Sequence, residues 1–600
     1  MRKVILIILL FCSTSLAQVT KQKSLKELKG DLDKIELAID ATREKMNEIK
    51  DARFLPDLYF MLAELHVDKA RYMLVIKQLE NKNVPVDELD FTAEKKPKFQ
   101  AIEIYKTIIE KFPNLQGRDR ALFFIAHEYR ELGQLEDMVK TYQSLTSQFP
   151  NSPYWAESML VVGDYFFENK KDFEFAMSMY NKILGKAPSP YTPLARYKLG
   201  WCYVNLDKFK EALLTFEKVL SVDSKIDLSQ LPEFYKKTDV KREALLAMVR
   251  PYSEIEPKEM AKFGAFRVNA IQYFYGLSNN VASYRQVLNR LAIRMIIKNR
   301  FIGATRIYFE YLRIATDMEE RLEAIEKLYE AMKNTAKDWP VHGYTLEIIK
   351  TLKQLESSIT IDPKEKAKYN TNFEIFARDA ATRAQKRAKA TKAKSDYTAA
   401  ILAYEAYLSY FSSTKYANTI RLNLAETYFN TGDLVKAALE YERLVADLKN
   451  AKNIKRFMDS SLQAFITTLK SPALLTRLQL VQARYGLRDV GKRYLQSYPN
   501  DKAGPTLRFA IARTYYDERD FDNAVVSFKD FIAKHPRNNE AETAANLILD
   551  AFNQREDYEG LIREGKILAA NANLDNKIRS DIAEIVKQAQ YKKLQAEAGD

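Results

Sequence analysis

Six side chains in this 600-residue chain, four histidines and two cysteines, are the best suited to hold a metal or move a proton, and their spacing argues against both tasks. His66, His127, His342 and His535 are dispersed, so no two imidazoles share a helix face at the interval a metal pair needs. Gly185-Lys186-Ala187 and Gly565-Lys566-Ile567 lack the upstream glycine and the hydroxyl residue of a phosphate loop. Neighbouring carboxylates, Glu319 with Glu320 and Asp31 with Asp33, read as solvated helix faces, and no G-x-S-x-G elbow precedes a histidine partner. No catalytic, cofactor-binding or metal-binding residue is therefore assigned, and the chain is expected not to be an enzyme. Cys202, between Trp201 and Tyr203, is expected to be a small core residue, the alternatives being an intermolecular disulfide or a reactive thiol.

The elements that would have to position any site are legible as small and large residues at fixed intervals. In Pro193–Leu220, Ala212 follows Gly200 by twelve residues, Tyr203 follows Gly200 by three, and Phe216 follows Ala212 by four. Two antiparallel helices approach closely only where small side chains meet, so Gly200 and Ala212 mark a crossing, with Tyr203 and Phe216 filling the space beyond it. Ala126, Tyr129, Gly133, Met138, Tyr142 and Pro150 repeat the pattern. Gly163, Phe166, Ala176, Tyr180 and Pro188 repeat it again, with one extra residue in the turn. Further copies are Ala292 with Ala304 and Tyr308; Ala388 with Ala400 and Tyr404; Ala425, Tyr428, Gly432, Ala437 and Tyr441; and Ala512, Tyr515, Ala524, Phe528 and Pro536. An early unit looks split, with Ala63 separated from Ala101, Tyr105 and Pro113 by an insertion from Glu80 to Pro97.

These intervals resemble the tetratricopeptide repeat, whose period is about 34 residues. The resemblance implies an all-α fold, a superhelical solenoid of stacked hairpins, and binding of other proteins as its task. Composition agrees: a solenoid of this length needs no single large core, strand signals are nearly absent, and Phe, Trp and Tyr (12%) are accounted for as inter-helix fillers. From Ser221 to Ser283 and from Thr335 to Glu365 the periodicity is helical without a clean motif.

MRKVILIILLFCSTSLAQ opens the chain with Arg2 and Lys3, an apolar run to Phe11, and Ser15 and Ala17 at signal-peptidase spacing. Cleavage after Ala17 is expected, with bulky Phe11 speaking against lipidation of Cys12. Residues 18–53 carry Leu25, Leu28, Leu32, Ile35, Ile39, Thr42, Met46 and Ile49 in three-four alternation. This N-terminal heptad helix forms either a coiled coil, with homo-oligomers through residues 24–50, or an antiparallel hairpin with Leu58–Leu79. The expected division is a signal peptide (1–17), the heptad helix (18–53), an N-terminal repeat array (54–223), a degenerate middle (224–365), and a C-terminal array with a capping helix (366–600).

Export to the bacterial periplasm, in contact with the outer membrane, follows from the opening segment, and nucleic acid is then excluded as a partner. Leader followed by heptad helix and repeats is similar in layout to the periplasmic coordinator of the Tol-Pal system. The stretch from Phe376 to Phe411 resembles repeat proteins of envelope-spanning gliding-motility machines. The formal net charge is +14, and Arg378, Arg383, Lys386, Arg387, Lys389, Lys392 and Lys394 form a basic patch. In the family the groove is lined by the first helix of each hairpin. Mapped here, that face holds Phe123, His127 and Arg130; Asp164 and Phe167; Tyr197, Trp201 and Asn205; Glu426 and Phe429; and Arg513 and Tyr516. The expected function is a non-catalytic scaffold for envelope proteins or their peptides, assembling an envelope or motility complex. The alternatives are a basic module for anionic lipid or lipopolysaccharide, and a peptidoglycan-acting enzyme or its accessory subunit.

Overall fold

In the computed structural model the crossings read from small residues are rings seated on glycine or alanine. A Cβ on Gly200 would lie 2.4 Å from the Phe216 ring, and one on Gly163 2.7 Å from the Tyr180 ring. Tyr180, Phe216, Tyr308, Tyr404 and Phe528, each four residues after an alanine, are fully buried, as are those alanines. The small residue brings the helices together and the ring one turn on plugs the gap, which is how close packing is reached without a large core. The structure describes residues 23–49, 53–221, 226–227, 229, 231–236, 238–335, 340–447 and 453–598, all helix or connecting turn with no strand among them. The expected signal peptide and Cys12 lie outside the described residues. The chain divides into two compact units, one ending at Ala315 and one beginning at Thr316.

The first unit opens with α1 (Leu25–Glu48) and α2 (Leu55–Glu80), followed by α3 (Thr92–Lys111), α4 (Arg118–Glu131) and α5 (Leu135–Gln148). Then come α6 (Trp155–Tyr165), α7 (Phe173–Leu184), α8 (Thr192–Asn205) and α9 (Phe209–Leu220). The less regular part holds α10 (Glu233–Lys236), α11 (Val240–Ala247), α12 (Val249–Glu254), α13 (Pro257–Lys262) and α14 (Ala270–Leu277), and the unit closes with α15 (Val281–Ile297) and α16 (Phe301–Ile314). Glu217 on α9 clamps the irregular part: both its oxygens accept from Arg267 at 2.8 Å, and the Tyr273 hydroxyl donates to it at 2.5 Å. Bidentate, charge-assisted bonds of this kind fix orientation as well as position.

The heptad face of α1 is spent inside the chain. Leu28 is buried with Val75 and Ile76 of α2, joined by Leu25, Leu32, Tyr72 and Leu79. Farther along, Glu36 pairs with Lys69 at 2.6 Å, and Arg43 meets His66 at 3.2 Å. Partners whose numbers fall as those on α1 rise define an antiparallel hairpin. The split early unit also closes across its insertion, with the Phe60 ring 6.0 Å from that of Tyr105.

The second unit runs through α17 (Met318–Lys333), α18 (Val341–Ser357), α19 (Pro363–Thr391), α20 (Lys394–Phe411), α21 (Ala417–Thr431), α22 (Leu434–Asp447) and α23 (Ile454–Leu469). It ends with α24 (Arg477–Ser497), α25 (Gly504–Asp517), α26 (Phe521–Lys534), α27 (Ala541–Asn553), α28 (Tyr558–Ala569) and α29 (Asn576–Ala598). Each helix packs on the next, and α28 against α29 buries Val586 over Gly565.

One turn joins the two helices of most repeats. A residue with positive φ ends the first helix: Gly133, Asp207, Asn299, Gly432, Arg519 or Glu556. The next amide then reaches back to a carbonyl five residues earlier, as Lys208 N to Tyr203 O at 2.9 Å and Asp520 N to Tyr515 O at 3.0 Å. The extra residue of the second copy is absorbed as a π-helical turn, Phe166–Lys170, before Lys171 takes the positive φ. Non-glycine residues pay steric strain there. Arg519→Gly is expected to raise unfolding stability by about 0.5–1 kcal/mol and Arg519→Ala to leave it unraised, as measured by urea denaturation.

Candidate partner-binding site

Repeat geometry sets two rings side by side on α8. Tyr197 and Trp201 are one turn apart, edge to face with centroids 6.5 Å apart, and each lies 6.0 Å from the Phe216 ring beneath. Burial pushes the Tyr197 hydroxyl above its usual pKa. Opposite them stand α11 and α12, which lack the repeat motif and pack on α8 and α9, and α15, the first helix of the Ala292 copy, which packs on both α11 and α12. Together they form an open pocket of about 330 Å³ lined by Tyr197, Trp201, Glu243, Leu246, Ala247, Val249, Arg250, Arg290, Ile293 and Arg294.

The charges at this pocket differ in how they are satisfied. Arg294 bonds Glu254 and donates from Nε to the Ser253 hydroxyl at 3.2 Å, while Lys298 meets the same Glu254 at 2.5 Å. Arg250 and Arg290 are exposed and have no carboxylate within 4 Å among the described residues, and Glu243 likewise has no cation. Sequence reasoning found Tyr197 and Trp201 and missed the other wall. Arg290, Ile293 and Arg294 do sit at i, i+3, i+4, a face on α15 that the sequence displays, but nothing local says what that face opposes.

The remaining candidates on the repeat face are placed separately. Phe123 is a core residue, 8% exposed, stacked on Tyr154 at 4.5 Å, so it does not line a groove. It shares a core cluster with Leu122 and Ala126 and meets the Tyr142 ring of α5 edge-on at 5.9 Å. His127 turns toward Glu128, with Nδ1 3.4 Å from Oε1, and Arg130 is half-buried at the end of α4. Asp164 accepts from the Tyr180 hydroxyl at 2.6 Å and pairs with Lys198 at 3.2 Å, which makes it a strut between repeats. Phe167 packs edge-on against Phe173, and Asn205 is exposed, donating to the Trp201 carbonyl at 2.8 Å. In the second unit Glu426 pairs with Lys389 at 3.6 Å and Phe429 is exposed. Arg513 pairs with Asp517 at 2.9 Å and lies 5.5 Å over the Tyr516 ring, whose hydroxyl donates to Asp550.

The basic patch, which runs along α19 and into the start of α20, has four of its seven cations in ion pairs. Arg378 pairs with Glu374 at 2.8 Å and covers the Tyr416 ring at 3.8 Å, Arg383 pairs with Asp379 at 2.6 Å, and Arg387 with Asp396 at 2.7 Å. With Lys389 held by Glu426, only Lys386, Lys392 and Lys394 of the seven stand exposed with no acid within 4 Å among the described residues. Cys202 is fully buried, and burial pushes its thiol up to about 12, which takes away the thiolate a reactive cysteine needs. Among the described residues no three His, Cys, Asp or Glu side chains gather as a metal site would require, and no helix is long and apolar enough to cross a membrane.

Sequence profiles of the tetratricopeptide repeat match residues 129–152, 194–226, 386–452 and 507–538. Comparison with curated proteins gives no match. Among solved structures, the C-terminal part of a TPR repeat-containing protein from Cytophaga hutchinsonii is 14% identical, covering 52% of this chain and 100% of its own, with a TM-score of 0.27. The TPR domain of P58(IPK) is 14% identical over 79% of this chain and 99% of its own, with a TM-score of 0.18. The Naa15/Naa10 structure bound to HypK-THB is 12% identical over 90% of this chain and 79% of its own, with a TM-score of 0.30.

Proposed function

We propose that this tetratricopeptide-repeat chain is an exported, non-catalytic scaffold that holds segments of partner proteins in the bacterial cell envelope. The observation that carries the reading is the pocket between α8 and α15, where Tyr197 and Trp201 face a wall with unneutralised arginines. Repeat proteins bind extended segments through side-chain pockets backed by rigid helices, and a pocket already formed in the free chain costs little ordering on binding. The opening MRKVILIILLFCSTSLAQ supports export, and the periplasm is the compartment it fits. An envelope or motility complex is the assembly such a scaffold would serve. Protein partners are favoured over an anionic surface because most of the α19 cations already have acidic partners. Self-association through α1 is disfavoured because its seam is covered by α2.

Two measurements test this reading. Expressed with its native start in a bacterium with two membranes, the chain is expected in the periplasmic fraction with Gln18 as its first residue; full-length protein retained in the cytoplasm would overturn the export half. A photo-crosslinking residue at Arg290 is expected to trap an envelope protein, with trapping reduced at least tenfold by Trp201→Ala. Equal trapping from Lys82, on the exposed turn after α2, would overturn the binding half.

A further inference from the structure

We propose that the α8–α15 pocket takes an acidic peptide segment, an aromatic or long aliphatic side chain flanked by carboxylates; this rests on the scaffold reading and names the chemistry of its ligand. Three observations point that way. The lining is largely apolar, with Leu246, Ala247, Val249 and Ile293 facing the Tyr197 and Trp201 side, so a hydrophobic side chain gains by entering. A volume of about 330 Å³ holds such a side chain with its adjoining backbone. At the rim Arg250 and Arg290 are exposed without acidic partners among the described residues, whereas Arg294 is already held by Glu254. A guanidinium fork left open beside an apolar slot matches a carboxylate one or two residues from the inserted side chain, and an arginine there discriminates geometry as a lysine would not.

Among the described residues Glu243 is the one acid lining the pocket, and it has no basic partner there. It opposes an anionic ligand and shields the two arginines, so its removal must tighten the complex if the ligand is acidic and weaken it if the ligand is basic. This sign distinguishes the proposal from a merely hydrophobic slot.

The test uses the full chain and three fluorescein-labelled pentapeptides read by anisotropy: Gly-Glu-Phe-Asp-Gly, Gly-Lys-Phe-Lys-Gly and Gly-Ser-Phe-Ser-Gly. The acidic peptide is expected to bind at least tenfold tighter than either of the others, to weaken with salt, and to lose at least tenfold when Arg250→Glu and Arg290→Glu are combined. Glu243→Gln is expected to tighten it two- to fivefold. Both arginines are exposed, so unchanged circular dichroism serves as the folding control. Equal binding of the three peptides, with dependence on Trp201 but none on the arginines, overturns the acidic class and leaves the scaffold reading standing. Preference for the basic peptide, binding only to phosphatidylglycerol vesicles, or no binding to any probe overturns the proposal; failed crosslinking at Arg290 as well would remove the scaffold reading with it.

Discussion

Alanine at Gly200 is expected to destabilise the first unit by about 2 kcal/mol, and the same substitution to become stabilising by about 0.5–1 kcal/mol once Phe216 is leucine. The first sign comes from overpacking. A Cβ at Gly200 would stand 2.4 Å from Cε1 and 2.8 Å from Cδ1 and Cζ of the Phe216 ring, which is itself fully buried and braced by Tyr197 and Trp201. The ring cannot step aside without moving α8 from α9. The second sign comes from the helix: Gly200 lies within α8, where glycine is less favourable than alanine, and a leucine at 216 vacates the space the methyl needs. Phe216→Leu alone lowers stability, so the measurement is a double-mutant cycle. Hydrogen exchange of the α8 and α9 amides is the better readout, because stacked repeats need not unfold as one unit. A Gly200→Ala effect of the same sign and size in both backgrounds would sink the account of the crossing.

That crossing was legible because everything it needs lies within one hairpin. Gly200, Ala212 and Phe216 declare their roles by size and interval alone, and the tight turn at Asp207 fixes their register. The hairpin of α23 and α24 obeys the same physics with the order reversed: Gly486 is on the second helix, and its Cβ would meet the Phe465 ring of the first at 2.3 Å. A search for a small residue followed by a large one passes over it. Charge was harder to read than size. The α19 cations were counted along the sequence, but Asp396 and Glu426, which neutralise Arg387 and Lys389, come from later turns and helices. The heptad of α1 showed an apolar seam and left open whether α2 or a second copy covers it. The pocket was half legible for the same reason: Trp201 belongs to a repeat, while Arg290 is brought opposite by packing of α15 on α11 and α12 that no local interval encodes.

The largest single effect is expected at Glu128, where glutamine should cost about 3 kcal/mol because it takes from the half-buried Lys98 its near carboxylate and leaves only Glu131, at 4.0 Å. Glu128 is 3% exposed on α4 and pairs at 2.7 Å with Lys98 of α3, whose side chain is itself only 14% exposed. Burial pushes this carboxyl up, but the His127 hydrogen bond and the Lys98 charge outweigh it and hold it at about 2. A carboxyl whose folded pKa lies below its unfolded value stabilises the fold fully above the unfolded value and loses that contribution as pH falls through the folded one. The window for Glu128 therefore opens near pH 4.5 and closes near pH 2. Stability measured over that range is expected to fall more steeply in the unmodified chain than in Glu128→Gln, so the two curves converge at low pH. Combining Lys98→Met with Glu128→Leu is expected to recover most of the loss at neutral pH, since a hydrophobic pair of similar volume carries no desolvation penalty. Parallel curves, or a double variant no more stable than Glu128→Gln, would show that α3 and α4 are held by packing of Tyr105 and Ala121 and not by the ion pair.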